Sequence, residues 1–137
     1  MWLLFAVLSA VCAAAVSILA KVGIRGMDSN LATAVRTIVV LAMAWGVVFI
    51  TGAQKGLTNI TRANLIFLAV SGVATGLSWL FYFKALQFGN VSKVAPIDKF
   101  SLVITIIMSA VFLREAVSVK AVIGVALITA GTLLMIL

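Results

Sequence analysis

Five uninterrupted apolar runs, each of the length that crosses a bilayer as a helix, constrain this chain more than any other feature. They cover residues 2–20, 31–51, 63–83, 94–113 and 119–137. About 20 helical residues span the hydrocarbon core. In lipid, only helices and closed barrels satisfy their own backbone polar groups. A barrel requires in/out alternation broken by a turn about every ten residues, and these runs are continuous. The balance of residues agrees: 65% of the 137 are hydrophobic and only 9% charged, where soluble domains carry roughly 25% charged residues. Mean hydropathy is +1.34. A soluble chain this short would be unable to hide so much apolar surface. The expectation is an all-α, multi-pass integral membrane protein of the cell (inner) membrane, with one domain over 1–137 and five transmembrane helices.

Several function classes fall away early. The net charge is +7, but the basic residues stand singly beside or within apolar runs, so they read as membrane-flank charges and not as a nucleic-acid surface. One cysteine, Cys12, and no histidine leave no metal-ligand cluster or intrachain disulfide; Cys12 reads as a small packing residue. No cofactor or metal is expected, and no nucleophile–base pair suggests an enzyme. The first run lacks the basic segment of a signal peptide and reads as a retained helix.

The connections carry turn and charge signals. Asp28-Ser29-Asn30 starts a helix, and Gly89-Asn90 and Arg114-Glu115 make short turns. Five spans put the two ends of the chain on opposite sides. Loops on the N-terminal side hold Lys55, Arg62, Arg114 and Lys120; loops on the other side hold Lys21, Arg25, Lys84 and Lys93. The positive-inside rule discriminates only weakly when the charges are so balanced. Insertion in both orientations and a single orientation set by Lys21 and Arg25 both fit.

Polar residues inside the spans are the informative ones. Ser71, Thr75, Ser78 and Tyr82 are spaced four, three, four along the third run; Asp98, Ser101, Thr105 and Ser109 are spaced three, four, four along the fourth. At helical periodicity each set falls on one face. A hydrated pathway between helices three and four is one reading; ordinary interhelical packing by Ser and Thr is the other. Ionisable residues in a span cost roughly 2.5–3.5 kcal/mol on insertion scales and mark functional candidates. Here they are Arg36, Asp98 and Lys99, with Lys84 at the end of helix three. Asp98 has Arg36 or Lys84 as candidate partners, and a structural ion pair with snorkelling lysines is the alternative. Pro96 is placed at the start of helix four, as an initiator or a hinge. Gly124 and Gly131, seven apart on helix five, share a face that suits close contact with another helix, in the same chain or in a second one.

These residues carry a family resemblance. The stretch YFKALQFGNVSKVAPID over Tyr82–Asp98, then Phe112-Leu113-Arg114-Glu115, then GVALITAG over Gly124–Gly131, resembles the EamA-type domain of the drug/metabolite transporter superfamily. The resemblance spans the chain and is most specific from Tyr82 to Gly131. It implies one half of a ten-helix inverted-repeat transporter fold, with helices three and four lining a central cavity and helix five at the contact between halves. Inverted repeats place the substrate near the midplane where they meet. One such domain implies a partner, the simplest being a second, antiparallel copy.

The reading that follows is a secondary transporter moving a small polar or amphipathic metabolite by alternating access as an antiparallel homodimer. Asp98 takes a coupling proton or a cationic group. Arg36, Lys84 and Lys99 offer sites to an anionic group, and Trp79 and Tyr82 shape the cavity or anchor at the interface. Two alternatives stand beside it. One is a proton/drug antiporter like the small multidrug resistance proteins, whose first helix carries a glutamate that 2–20 lacks. The other is a non-transporting membrane subunit or assembly factor.

Overall fold

The computed structural model describes all residues 1–137. It is all-helical: α1 (Trp2–Gly23), α2 (Ser29–Thr51), a 3₁₀ segment (Ala53–Asn59), α3 (Arg62–Phe88), α4 (Val91–Asp98), α5 (Phe100–Met108), a π-helical turn (Ser109–Leu113) and α6 (Val119–Ile136). Counting the stretch Val91–Leu113 as one span, five helices are long and apolar enough to cross a membrane. The chain divides into two compact units, one of residues 19–87, the other of residues 1–18 and 88–137.

The helix ends follow local chemistry. Asp28 is extended and its carboxylate accepts from the N–H groups of Asn30 and Leu31, meeting two donors that the first turn of α2 leaves unpaired. Ser118 does the same for α6 through Ala121 N–H at 3.1 Å. Gly52 ends α2 in the left-handed region, φ 73°, with its N–H on the Phe49 carbonyl, a conformation glycine adopts at little cost. Asp28→Ala should lower stability by about 1 kcal/mol, and Asp28→Asn should recover most of that. Unfolding of the reconstituted protein by a denaturing detergent measures both; equal losses for the two would show that the carboxylate's charge, not its cap, matters.

Large apolar side chains point outward: Phe67 is 76% exposed, Ile50 88% and Leu134 76%. That pattern is unfavourable in water and ordinary in lipid. Hydroxyls along the spans meet their own helix. Thr33 donates to the Ser29 carbonyl, Thr37 to Thr33, Thr75 to Ser71 and Thr129 to Val125, all at 2.7–2.9 Å. A hydroxyl facing hydrocarbon has no water to turn to, so the carbonyl four residues back serves.

In the unit of residues 19–87 the packed centre is Ile24, Ser29, Ala32, Thr33, Phe83 and Leu86. Side chains of α1 and α3 tie the α1–α2 region to the end of α3. Lys21 Nζ donates to the Leu86 carbonyl and Gln87 Nε2 to the Met27 carbonyl. In the other unit, α6 packs against α4 and α5, with Thr132 buried. Lys93 Nζ donates to the Ile136 carbonyl at 3.1 Å, a cation on the negative end of α6.

Three expectations about element ends need correction. Helix three runs to Phe88, not residue 83, so Lys84 lies within it. Pro96 does not start helix four; α4 begins at Val91 and holds Pro96 in its interior. Helix four is also not one continuous α-helix. It breaks at Lys99, where Lys99 N–H reaches the Pro96 carbonyl and Leu102 N–H the Lys99 carbonyl, both three residues back at 3.0 Å. Pro96 also removes an N–H from the ladder and crowds the carbonyl of residue 92, one turn before it. The span then finishes as a π-turn, stopped by Arg114 in the left-handed region at φ 54°.

Candidate functional site

The unit of residues 19–87 holds Arg36, Ser71, Thr75, Ser78, Trp79, Tyr82 and Lys84. Ser29, Ala32, Thr33 and Arg36 follow one face of α2 at helical spacing, and the first three are buried. Trp79 and Phe83, four apart on α3, meet that face. Arg36 Cζ lies 4.4 Å from the Trp79 ring centroid and 5.3 Å from that of Phe83, within range of cation–π attraction. Tyr82 lies edge-on to Phe83, with centroids 6.5 Å apart. Ser71, Thr75, Ser78 and Lys84 are exposed, and the Thr75 hydroxyl is taken up by its own helix. Sequence reasoning brings in Arg36 and Trp79 separately and misses Phe83, though it sits one turn beyond Trp79.

A hollow of about 520 Å³ in the same unit is lined by Lys21, Ile24, Arg25, Gly26, Met27, Asp28 and Gln87. Lys21, Asp28 and Gln87 already bond backbone groups there. It reads as the seat of the α1–α2 connection more than as a ligand site.

The unit of residues 1–18 and 88–137 holds Pro96, Asp98, Lys99, Ser101, Thr105, Ser109, Gly124 and Gly131. Asp98 Oδ2 is 3.7 Å from Lys99 Nζ, with the side chains 43% and 54% exposed. At 3.7 Å the two groups are beyond hydrogen-bond distance, and both side chains lie on the outer surface of the chain. The pair stands at the break between α4 and α5. Ser101 and Thr105 lie on the regular helix α5 and Ser109 caps it in helical geometry, so these three keep one face, while Asp98 lies across the break at Lys99. Ser101 and Thr105 are exposed. The Ser109 hydroxyl donates to Glu115 Oε2, and Glu115 N–H reaches the Ser109 carbonyl. Sequence patterning gives Glu115 only a place in a turn; its being one of just three acids in the chain is the signal that could have found it. On α6, a Cβ added at Gly124 or Gly131 would meet nothing within 4 Å. The glycines are therefore not needed for packing of α6 on its own neighbours.

Comparison with known proteins decides what these helices belong to. The model of the EamA-like transporter family matches residues 1–137. The chain belongs to that family. It is also 42% identical over 134 residues to an "Uncharacterized transporter in cobO 3'region" of a Sinorhizobium species, an alignment covering 98% of this chain and 95% of that protein. No solved structure matches. As an EamA-like protein with five spanning helices, it is a multi-pass membrane transporter, handling a small-molecule substrate within a lipid bilayer.

Proposed function

We propose that this protein is a secondary transporter of a small polar or amphipathic metabolite, working by alternating access as an antiparallel homodimer. The observation that carries the reading is the interruption of helix four. A spanning stretch, Val91–Leu113, breaks at Lys99 beside the Asp98–Lys99 ion pair. In transporters, discontinuous helices gather substrate and coupling ions where their freed backbone groups meet polar side chains. The break lies roughly 12 Å along the helix from its start, at 1.5 Å per residue. Asp98 is the coupling-proton or substrate contact in this reading. Within its unit Ser101, Thr105 and Ser109 are further candidate substrate contacts; within the unit of residues 19–87 the candidates are Arg36, Ser71, Thr75, Ser78, Trp79, Tyr82 and Lys84.

Two observations support a second copy. The relative named as a transporter is of nearly the same length, since this chain covers 95% of it, so that name attaches to a protein of about five helices. The open glycine face of α6 accommodates a close helix from elsewhere. The test is uptake of a labelled panel of amino acids, organic acids, phosphate esters and amines into proteoliposomes. Saturable uptake of at least one class above protein-free vesicles is expected. Uptake equal to protein-free vesicles for every class, from protein shown to be folded, would leave a non-transporting membrane subunit as the better reading.

A further inference from the structure

The chain has three acidic side chains, and each is engaged. Asp28 accepts from the N–H groups of Asn30 and Leu31 at 2.8 and 3.3 Å. Asp98 faces Lys99 at 3.7 Å. Glu115 accepts from the Ser109 hydroxyl. Arg36 thus sits inside a membrane span with no carboxylate of its own, held by the rings of Trp79 and Phe83. A ring face attracts the charge but offers no lone pair. The five N–H donors of the guanidinium make no hydrogen bond within the chain, and unmet donors are costly at that depth.

We propose that Arg36, braced by Trp79 and Phe83, anchors a carboxylate or phosphate group of the transported molecule, so that the substrate is an organic anion. This rests on the transporter reading above. The guanidinium fork matches two oxygens of a carboxylate or phosphate. With its charge already braced by the rings, little side-chain freedom is left to lose on binding. The surrounding unit holds six basic residues against Asp28 alone, a field that draws anions and repels cations. A lipid headgroup is the other source of such oxygens, but Trp79 lies roughly 13 Å from the end of α3, and the rings hold the charge back from the interface.

The test uses Trp79 as its own reporter. In a Trp2→Phe, Trp45→Phe protein reconstituted in phosphatidylcholine nanodiscs, succinate and glycerol 3-phosphate should shift Trp79 emission saturably. Choline and glycerol at matched ionic strength should not. Arg36→Lys keeps the charge and loses the fork, and should weaken the response about tenfold or more; Arg36→Gln should abolish it. Unchanged anion-free emission in Arg36→Lys shows that the platform is intact. A response to choline equal to that for succinate, or one that survives Arg36→Gln, would overturn the proposal. A shift produced by phosphatidylglycerol nanodiscs and not by soluble anions would also overturn it, assigning the site to a headgroup. Uptake of an amine with Trp79 silent to anions would leave the transporter and remove the anion anchor. Anion binding at Arg36 without uptake of any panel member would keep the anchor and sink the transporter.

Discussion

Asp98→Asn is expected to reduce transport by roughly 10- to 100-fold, the loss of one charge-assisted contact of ~1.5–3 kcal/mol, while the protein inserts and folds as before. The side chain is 43% exposed, its only ionic partner is Lys99 at 3.7 Å, and it closes α4 at the break in a spanning helix. At 3.7 Å the pair is beyond hydrogen-bond distance, so its removal should change unfolding little. Asp98→Glu should recover part of the activity. The double variant Asp98→Asn, Lys99→Gln separates a functional acid from a structural pair. If Asp98 served only to neutralise Lys99, the double variant would regain activity. A functional Asp98 leaves it as inactive as the single one. Wild-type rates in Asp98→Asn would remove Asp98 from the pathway altogether.

The second large effect is at helix-to-helix contact. Gly124→Leu with Gly131→Leu should shift the protein from dimer to monomer in mild detergent and abolish uptake. Added side-chain atoms at either position meet open space within the chain, so the folded monomer should tolerate them. A closely packed partner helix would not, because small residues are what let backbones approach in lipid. Sedimentation of the detergent-solubilised variant reads the first effect. Labelling of a cysteine placed at Leu137 on a Cys12→Ala background reads the orientation; an antiparallel pair makes it reachable from both faces of the membrane. A double-leucine variant that stays dimeric and active would move the contact elsewhere. A residue 137 labelled from one face only would remove the antiparallel arrangement.

The five spans are legible in the sequence because lipid imposes a length and an apolarity that few other folds demand. Their ends are less so. Helix three passes Lys84 and Gln87 to reach Phe88, since a lysine's long stem and an interfacial amide are both compatible with a helix leaving the membrane. Pro96 fits a helix start as well as a kink, and only the backbone bonds around Lys99 separate the two. The charged candidates are readable one at a time. What sequence spacing does not carry is the meeting of different helices: the pairing of Arg36 with Trp79 and Phe83 joins α2 to α3 across a separation no periodicity encodes. The tie of Ser109 to Glu115 depends on a π-turn, which shifts side-chain register by an amount a regular helix would not predict.

Counterflow tests the central claim most directly. Proteoliposomes are preloaded with an unlabelled compound and diluted into its labelled form, for each class in the panel. Alternating access through this protein predicts transient accumulation of label above the external level in preloaded vesicles, absent from empty ones and strongly reduced in Asp98→Asn. Label that enters preloaded and empty vesicles at the same protein-free rate for every class, with the protein folded and inserted, would contradict transport by this chain.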